Sequence, residues 1–568
     1  MAVDAQSSAA PDGEFIRTDL EAGSSSKDEL VVVDSNPQDS STSVDSKFTT
    51  VRVPLTRLQF VSVVISLSLG VLLAALDQTI VASALKSIVS DLGRQDLLSW
   101  IGSGYMLTSC AFCPLYGKFA DIFGRKWTFI AALGIFELGS LVCAIATSMP
   151  MLIIGRAVAG LGGGGVMSLV FIILSDIVSI QDRGKYQGLI GGTYTFASVL
   201  GPLIGGSFVD HATWRWCFYI NLPIGAITIA VVVALLKFPP TEGSMSEKLK
   251  RIDYVGATLL ICAIISLLVP IQLGGTEWAW SSAATIVCFI LAVMFAGAFV
   301  YVEGRVAEPI IPYSLFKTQT VPALLVVTFC LGASMFTAIY YTSLFFQIAQ
   351  GYSATGAGIQ SVPLILGAVL VSIASGFFVS RTGKYKMFFF LGPIFMIAGI
   401  VLMSYLDQNS SMVQKIMYLV IFGMGTGSQT QMSVLALQSS VEYTEMAIVT
   451  AVGRTFQQLG GSVGVAIIGN ILNTVLQSKI SAETQSAIDM IAAKVPQIDS
   501  SQPLQVIQFL QDSNSYPSML AELVSDFVAS YKLAYLSILP FPVLILVAAF
   551  FVKQYAVKGK SATGKTSK

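Results

Sequence analysis

Fourteen apolar stretches follow one another through this chain, at about residues 59–86, 98–119, 127–147, 150–173, 186–209, 216–237, 253–273, 281–302, 321–346, 355–380, 386–406, 415–437, 447–475 and 531–553. Each is long enough for a helix to cross a hydrocarbon layer of about 30 Å, whereas a strand would need only about ten alternating residues. With 54% hydrophobic and 12% charged residues, the 568-residue chain cannot bury its apolar side chains within a water-soluble globule. Its solvent is a lipid bilayer, and the sequence predicts an all-α polytopic membrane protein.

Charge sets the expected topology. Basic residues gather after even-numbered spans, at Lys118, Arg125 and Lys126, at Arg183 and Lys185, at Lys248, Lys250 and Arg251, at Arg305 and Lys317, and at Arg381, Lys384 and Lys386. The opposite loops carry few, such as Arg94, Lys415, Lys479 and Lys494. The positive-inside rule places both termini in the cytosol. Residues 1–57 are expected to form a disordered cytosolic tail, because residues 1–50 hold ten acidic and three basic side chains among many serines. No basic segment leading to a short apolar core opens the chain, so the first span is expected to act as the insertion signal. Residues 554–568 form a basic cytosolic tail.

Several function classes receive no support. The 33 basic and 33 acidic residues balance, leaving no field that suggests a nucleic-acid partner. His211 is the sole histidine, and the seven cysteines lie in or beside apolar runs, where thiols act as small hydrophobes. Cys110 and Cys113 have C-x-x-C spacing without a second pair, so no metal, cofactor or catalytic residue is expected.

Ionisable residues inside spans point to function, since a carboxylate in hydrocarbon is costly unless it faces a cavity, carries a proton or meets a partner. Asp77, followed by Gln78 and Thr79, lies within the first apolar run; Arg156 lies in the fourth, Glu137 in the third and Arg454 in the thirteenth. Asp77 is read as a transport residue or a structural hydrogen-bonding group, and Arg156 as the cation that tunes it. Glu137 fits either packing against a polar neighbour or proton handling. Arg454 fits either an anion-holding role or a brace for the second half. Tyr341, Phe345, Gln429 and Gln457, with Gln78, are candidate cavity residues, although rings at helical spacing more often pack or face lipid. The Asn409-Ser410-Ser411 sequon on the predicted outer side makes Asn409 a candidate glycosylation site. Residues 476–530 form a polar, non-cytosolic connection with weak amphipathic patterns around 484–495 and 504–509.

The turn after the second span reads Gly117-Lys118-Phe119-Ala120-Asp121-Ile122-Phe123-Gly124-Arg125-Lys126. It resembles the signature of the major facilitator superfamily at that location, where the acid and arginine latch a gate. Leu76-Asp77-Gln78-Thr79-Ile80-Val81 resembles the first-span signature of the fourteen-spanner drug:proton antiporter branch. Arg156-Ala157-Val158-Ala159-Gly160-Leu161-Gly162-Gly163-Gly164 resembles the fourth-span motif linked to proton coupling, and Gly201-Pro202-Leu203-Ile204-Gly205-Gly206 the fifth-span antiporter motif. The segments 214–223 and 454–461 resemble the fungal version of this branch, and one departure is Lys86, where relatives usually have proline.

The resemblance implies a major facilitator fold with 14 transmembrane helices. Spans 1–6 (residues 58–237) and spans 9–14 (321–553) would form two six-helix bundles, with a cytosolic linker and two inserted helices between them (238–320). It further implies a monomeric, proton-coupled antiporter that exports drugs, toxins or secondary metabolites across a fungal cell or vacuolar membrane. Two alternatives stay open: a vacuolar basic amino acid or siderophore transporter of the same fold, and a membrane sensor that has lost transport.

Overall fold

A computed structural model describes residues 56–555, apart from 95–96, 180–181, 237, 239–240, 242, 275–277, 495–502 and 514–515. The N-terminal tail up to residue 55 and the basic tail from 556 lie outside the described residues.

The described helices are α1 (Arg57–Leu92), α2 (Leu98–Phe123), α3 (Arg125–Ala144), α4 (Met149–Ile177), α5 (Arg183–His211), α6 (Trp216–Tyr219), α7 (Asn221–Leu235), α8 (Met245–Lys250), α9 (Tyr254–Leu273) and α10 (Ala283–Glu303). They continue as α11 (Thr320–Gln350), α12 (Ala354–Gln360), α13 (Val362–Thr382), α14 (Phe388–Met403), α15 (Met412–Ser439), α16 (Met446–Lys479), α17 (Ala482–Lys494), α18 (Pro503–Ser513), α19 (Pro517–Leu536) and α20 (Pro540–Ala548). Local chemistry sets many of the ends. Thr56 with Gln59, and Ser411 with Gln414, form capping boxes that satisfy orphan amides at the starts of α1 and α15. Gly351 and Gly383, at φ 65° and 74°, end α11 and α13 in the left-handed region where a Cβ is strained.

Helix covers each of the fourteen apolar stretches, in three cases as a broken pair: α6–α7, α12–α13 and α19–α20. Eleven of these segments are long and apolar enough to cross a membrane, which makes the chain a multi-pass membrane protein. Helices α2, α14 and α15 are not among the eleven. Helix α14 is only 16 residues long, and α2 and α15 turn polar side chains such as Ser109, Gln429 and Gln431 into the protein interior, which lowers their mean hydropathy. The last segment begins at Pro517, earlier than the expected residue 531, with proline supplying the first helical turn. The two amphipathic patterns before it form α17 and α18.

Helices α1–α7 share one interior, built on Val63, Leu67, Phe129, Phe136, Leu169 and Val232. Helices α11–α20 share another, including Leu324, Phe345, Phe389, Phe422, Phe527 and Tyr531. Glycines let helix backbones touch inside each group, as membrane packing requires without a hydrophobic drive between helices. A Cβ on Gly162 would overlap the α3 backbone at Ala132 and Phe136, and one on Gly460 the α11 backbone at Phe329.

The two groups meet along two seams. In one, Gly184 of α5 lies flat on Gly376 of α13, and a Cβ on Gly184 would sit 3.2 Å from the Gly376 Cα. In the other, α2 lies on α16, where a Cβ on Gly117 would be 2.9 Å from the Ala447 carbonyl oxygen. The α9–α10 hairpin packs over this second seam, with Leu260, Ile264 and Leu268 against Ala111 and Leu115 of α2 and against Leu459 of α16.

Candidate functional site

Asp77 projects from α1 into the first helix group and is 0% exposed. Arg156 reaches it from α4, with Nη1 donating to Asp77 Oδ2 at 2.5 Å. The remaining valences are filled by neighbours. Arg156 Nε donates to the Ile101 carbonyl of α2 at 3.1 Å, and the guanidinium carbon stands 4.5 Å above the Tyr105 ring. Asn221, at the start of α7, donates to Asp77 Oδ1 at 3.2 Å and to Ser140 Oγ of α3 at 3.1 Å. A buried ion pair holds only when its leftover donors and acceptors are met in this way. The arrangement binds α1, α2, α3, α4 and α7 to one carboxylate.

Glu137 lies one helical turn before Ser140 on α3 and packs on Gly225, one turn after Asn221 on α7; a Cβ on Gly225 would overlap its carboxylate. Both Glu137 oxygens are buried without a hydrogen-bond partner. The structure therefore brings Asp77, Arg156 and Glu137 into one neighbourhood. Asn221 falls in the 214–223 segment without a role the sequence assigns, and Tyr105 and Ser140 carry no sequence signal. The one available signal was an amide at the first turn of an otherwise apolar helix.

The glycine-rich turn forms a second cluster. Gly124 adopts φ 89°, which joins α2 to α3 without strain. Arg125 pairs with Asp121 at 2.7 Å and with Asp176 of α4 at 3.0 Å. Tyr443, from the second helix group, donates to the other Asp176 oxygen at 3.1 Å, so this cluster joins the two groups. Lys126 donates to the Val233 carbonyl in the last turn of α7 at 2.7 Å. Nearby, Glu308 accepts from Lys118 at 3.0 Å and from Arg251 at 2.8 Å. The Arg251 hydrogen bond, aided by Lys118, holds the Glu308 carboxyl below its ordinary range.

Gly201 and Gly205 of α5 press on Thr79, Ile80 and Ser83 of α1, while Gly206 faces Thr355 of α12, where its Cβ would lie 3.0 Å from the hydroxyl. The Pro202 side chain lies outside the described residues. Gln78 accepts a long hydrogen bond, 3.4 Å, from Tyr194 of α5.

The second-group candidates separate. Tyr341 donates to the Val465 carbonyl at 2.9 Å, and Phe345 stacks 4.7 Å from Tyr531 of α19, so both lie in the packed interior of that group. Gln429 donates to the Phe388 carbonyl of α14 at 2.7 Å, away from the first group. Gln431, two residues on and therefore on the opposite side of the helix, meets Gly191 of α5. Arg454 donates to Gln457 at 2.8 Å and lies 4.1 Å over the Phe171 ring of α4. Gln458 donates to Ser109 of α2 at 3.1 Å. Asn409 is exposed in the α14–α15 turn, at the end opposite Gly124.

Two interlocked groups of membrane-crossing helices thus hold a buried charge pair in one of them and a charged cluster between them, an arrangement suited to a membrane carrier. Comparison with known proteins makes this specific. Residues 67–465 match the model of the Major Facilitator Superfamily, and the chain belongs to that family. It is 36% identical over 427 residues to the MFS-type efflux pump MFS1 of Arthroderma benhamiae, covering 74% of this chain and 80% of that one. It is 33% identical over 514 residues to the aspyridones efflux protein of Neocamarosporium betae, covering 89% of each. Among solved structures, the human organic anion transporter MFSD10 superposes with a TM-score of 0.56 at 14% identity, covering 87% of this chain and 99% of that one; at this identity the likeness is one of fold alone.

Proposed function

We propose that the protein is a fourteen-span, proton-coupled antiporter that exports small organic molecules from a fungal cytosol. Residues 58–237 and 321–553 act as the two rocking bundles, with the α9–α10 hairpin inserted between them. The observation that carries the reading is the sealed Asp77–Arg156 pair at the junction of five helices. Export is supported by efflux pumps from several fungi at 30% identity or more. The distribution of basic loops supports cytosolic termini. Both parting faces lie on one chain, which supports a monomer as the working unit.

In the cycle, a proton entering from the acidic side neutralises Asp77. Arg156 then loses its charge partner, and its hold on Ile101 and Tyr105 of α2 changes. Since α2 forms the seam with α16, the protonation state of Asp77 biases whether that seam is closed. Opening also requires the Arg125–Asp176–Tyr443 latch to release. Return of the proton to the cytosol restores the pair. Asp77 has no exposed surface, which supports proton carriage rather than substrate contact, and Glu137 is the second proton-handling group beside it. Plasma membrane and vacuole both fit this cycle, and a C-terminal fluorescent fusion separates them. Asn409 is a candidate glycan site on the outer turn.

The test is reconstitution in vesicles with an imposed pH gradient. Wild-type protein should accumulate substrate against its gradient, and Asp77→Asn should abolish accumulation while still inserting. Unchanged accumulation in that variant sinks the coupling role.

A further inference from the structure

Not one Asp or Glu lies within α11, α12, α13, α14, α15 or α16. In the first group, the acids of α2, α4 and α5 sit near helix ends, at Asp121, Asp176 and Asp210, Glu137 of α3 packs on Gly225 of α7, and Asp77 is consumed by Arg156 inside its own group. The region between the groups therefore has one mid-helix cation and no described carboxylate to meet it. Arg454 lies eight residues into α16, about 12 Å along its axis, and is half-buried.

The contacts of Arg454 do not neutralise it. Gln457 supplies one neutral acceptor and Phe171 a ring face, while Nε is buried without a partner. A second group points to the same place. Ser433, 1% exposed, lines a narrow void with Arg454, Thr430 and Thr450, and its hydroxyl has no partner. A guanidinium fork and a free hydroxyl converging on one void make a donor set for an anionic oxygen. A cation held this deep without a counter-ion is costly, and a purely structural brace would not need the charge.

We propose that the exported substrates are organic anions, bound through a carboxylate, sulfonate or ionised enol oxygen at Arg454 with Ser433 as the second donor. This rests on the export reading above and gives it a substrate class. The Phe171 ring, supplied by the other helix group, occupies the face of the guanidinium while the seam is closed. Substrate displaces it when the seam opens. The absence of acids from the region works against organic cations, including basic amino acids, because nothing there repays the loss of their hydration.

Charge balance supplies an independent readout. Exchange of one entering proton for one leaving monoanion moves two charges in the same electrical sense, whereas exchange of a proton for a monocation moves none. Anion export should therefore accelerate under a potential that is positive on the proton-supplying side.

The experiment uses the full chain in proteoliposomes with an acidic lumen, a potassium–valinomycin potential and three probes. Radiolabelled salicylate and sulforhodamine B are small and large organic anions, and rhodamine 6G is a cation on the same skeleton as the second. At least one anion should accumulate, faster with the lumen positive, and rhodamine 6G should not. Arg454→Gln should lower anion uptake at least tenfold, with Arg454→Lys retaining more than Arg454→Gln, and size-exclusion profiles should show all three proteins folded. Ser433→Ala should lower it less. Accumulation of rhodamine 6G alone overturns the anion assignment and leaves the export reading standing. Movement of none of the probes counts against both. Anion uptake that ignores Arg454 overturns the site.

Discussion

The two helix groups treat charge in opposite ways. In α1–α7, Asp77 and Arg156 are locked together with Asn221 and the Ile101 carbonyl, and the charge serves the interior of its own group. In α11–α20, no acid enters helices α11–α16, and Arg454 faces the other group across the seam with an amide and a ring for company. In the proposed cycle, such a division keeps proton handling out of the path of the cargo, and coupling travels through helix positions.

The largest expected effect separates the two charges. Asp77→Asn leaves Arg156 buried without its partner, so thermal unfolding in detergent should show a loss of about 3–5 kcal/mol, typical of a broken buried pair. Arg454→Gln removes a cation that has no ion-pair partner, and stability should hold or rise. Equal destabilisation by the two changes would break the contrast. Next comes the seam itself. Gly117→Val places a side chain against Ala447 and Ile448, so it should prop α2 away from α16 and cut transport at least tenfold. Cys113, which is 1% exposed and accepts or donates at 2.9 Å with Ser168, should then react faster with a maleimide than in the wild type. An unaltered labelling rate means the seam had not opened.

The smallest effect lies outside the bilayer. Glu308 is partly exposed, so Glu308→Gln should cost only about 0.2–1 kcal/mol, and less in high salt. Its folded-state pKa is depressed by Arg251 and Lys118, so its contribution is complete above the ordinary glutamate value and is lost as pH falls through the lower folded value. At neutral pH the clamp should be insensitive to pH, and a stability profile that changes there points to another group.

Much of this was legible in the sequence because the bilayer permits few solutions. An apolar run of twenty residues must become helix, and capping residues such as Thr56 and Ser411 mark where one starts. Lone charges at Asp77 and Arg156 had to find partners, and they found each other. What could not be read was direction around each helix. Gln429 and Gln431 look equivalent as letters, but a rotation of about 200° sends one to α14 and the other to α5. Tyr341 and Phe345 offered rings that could have faced a cavity, and instead they fill the second group's interior. Asn221 was invisible as a functional residue because its importance depends on Ser140 and Asp77, which lie far away in the chain.

The seams differ in what surrounds them. The α2–α16 seam is roofed by the α9–α10 hairpin, whereas beside the α5–α13 seam Leu189, Phe196, Leu366 and Leu370 point outward and are exposed. Acyl chains would thus press directly on the α5–α13 seam, where Gly184 and Gly376 leave no side-chain padding between the backbones. Changes in membrane thickness or sterol content should reach the carrier through this flank first, so that the lipid composition of its host membrane becomes one of the settings of its turnover.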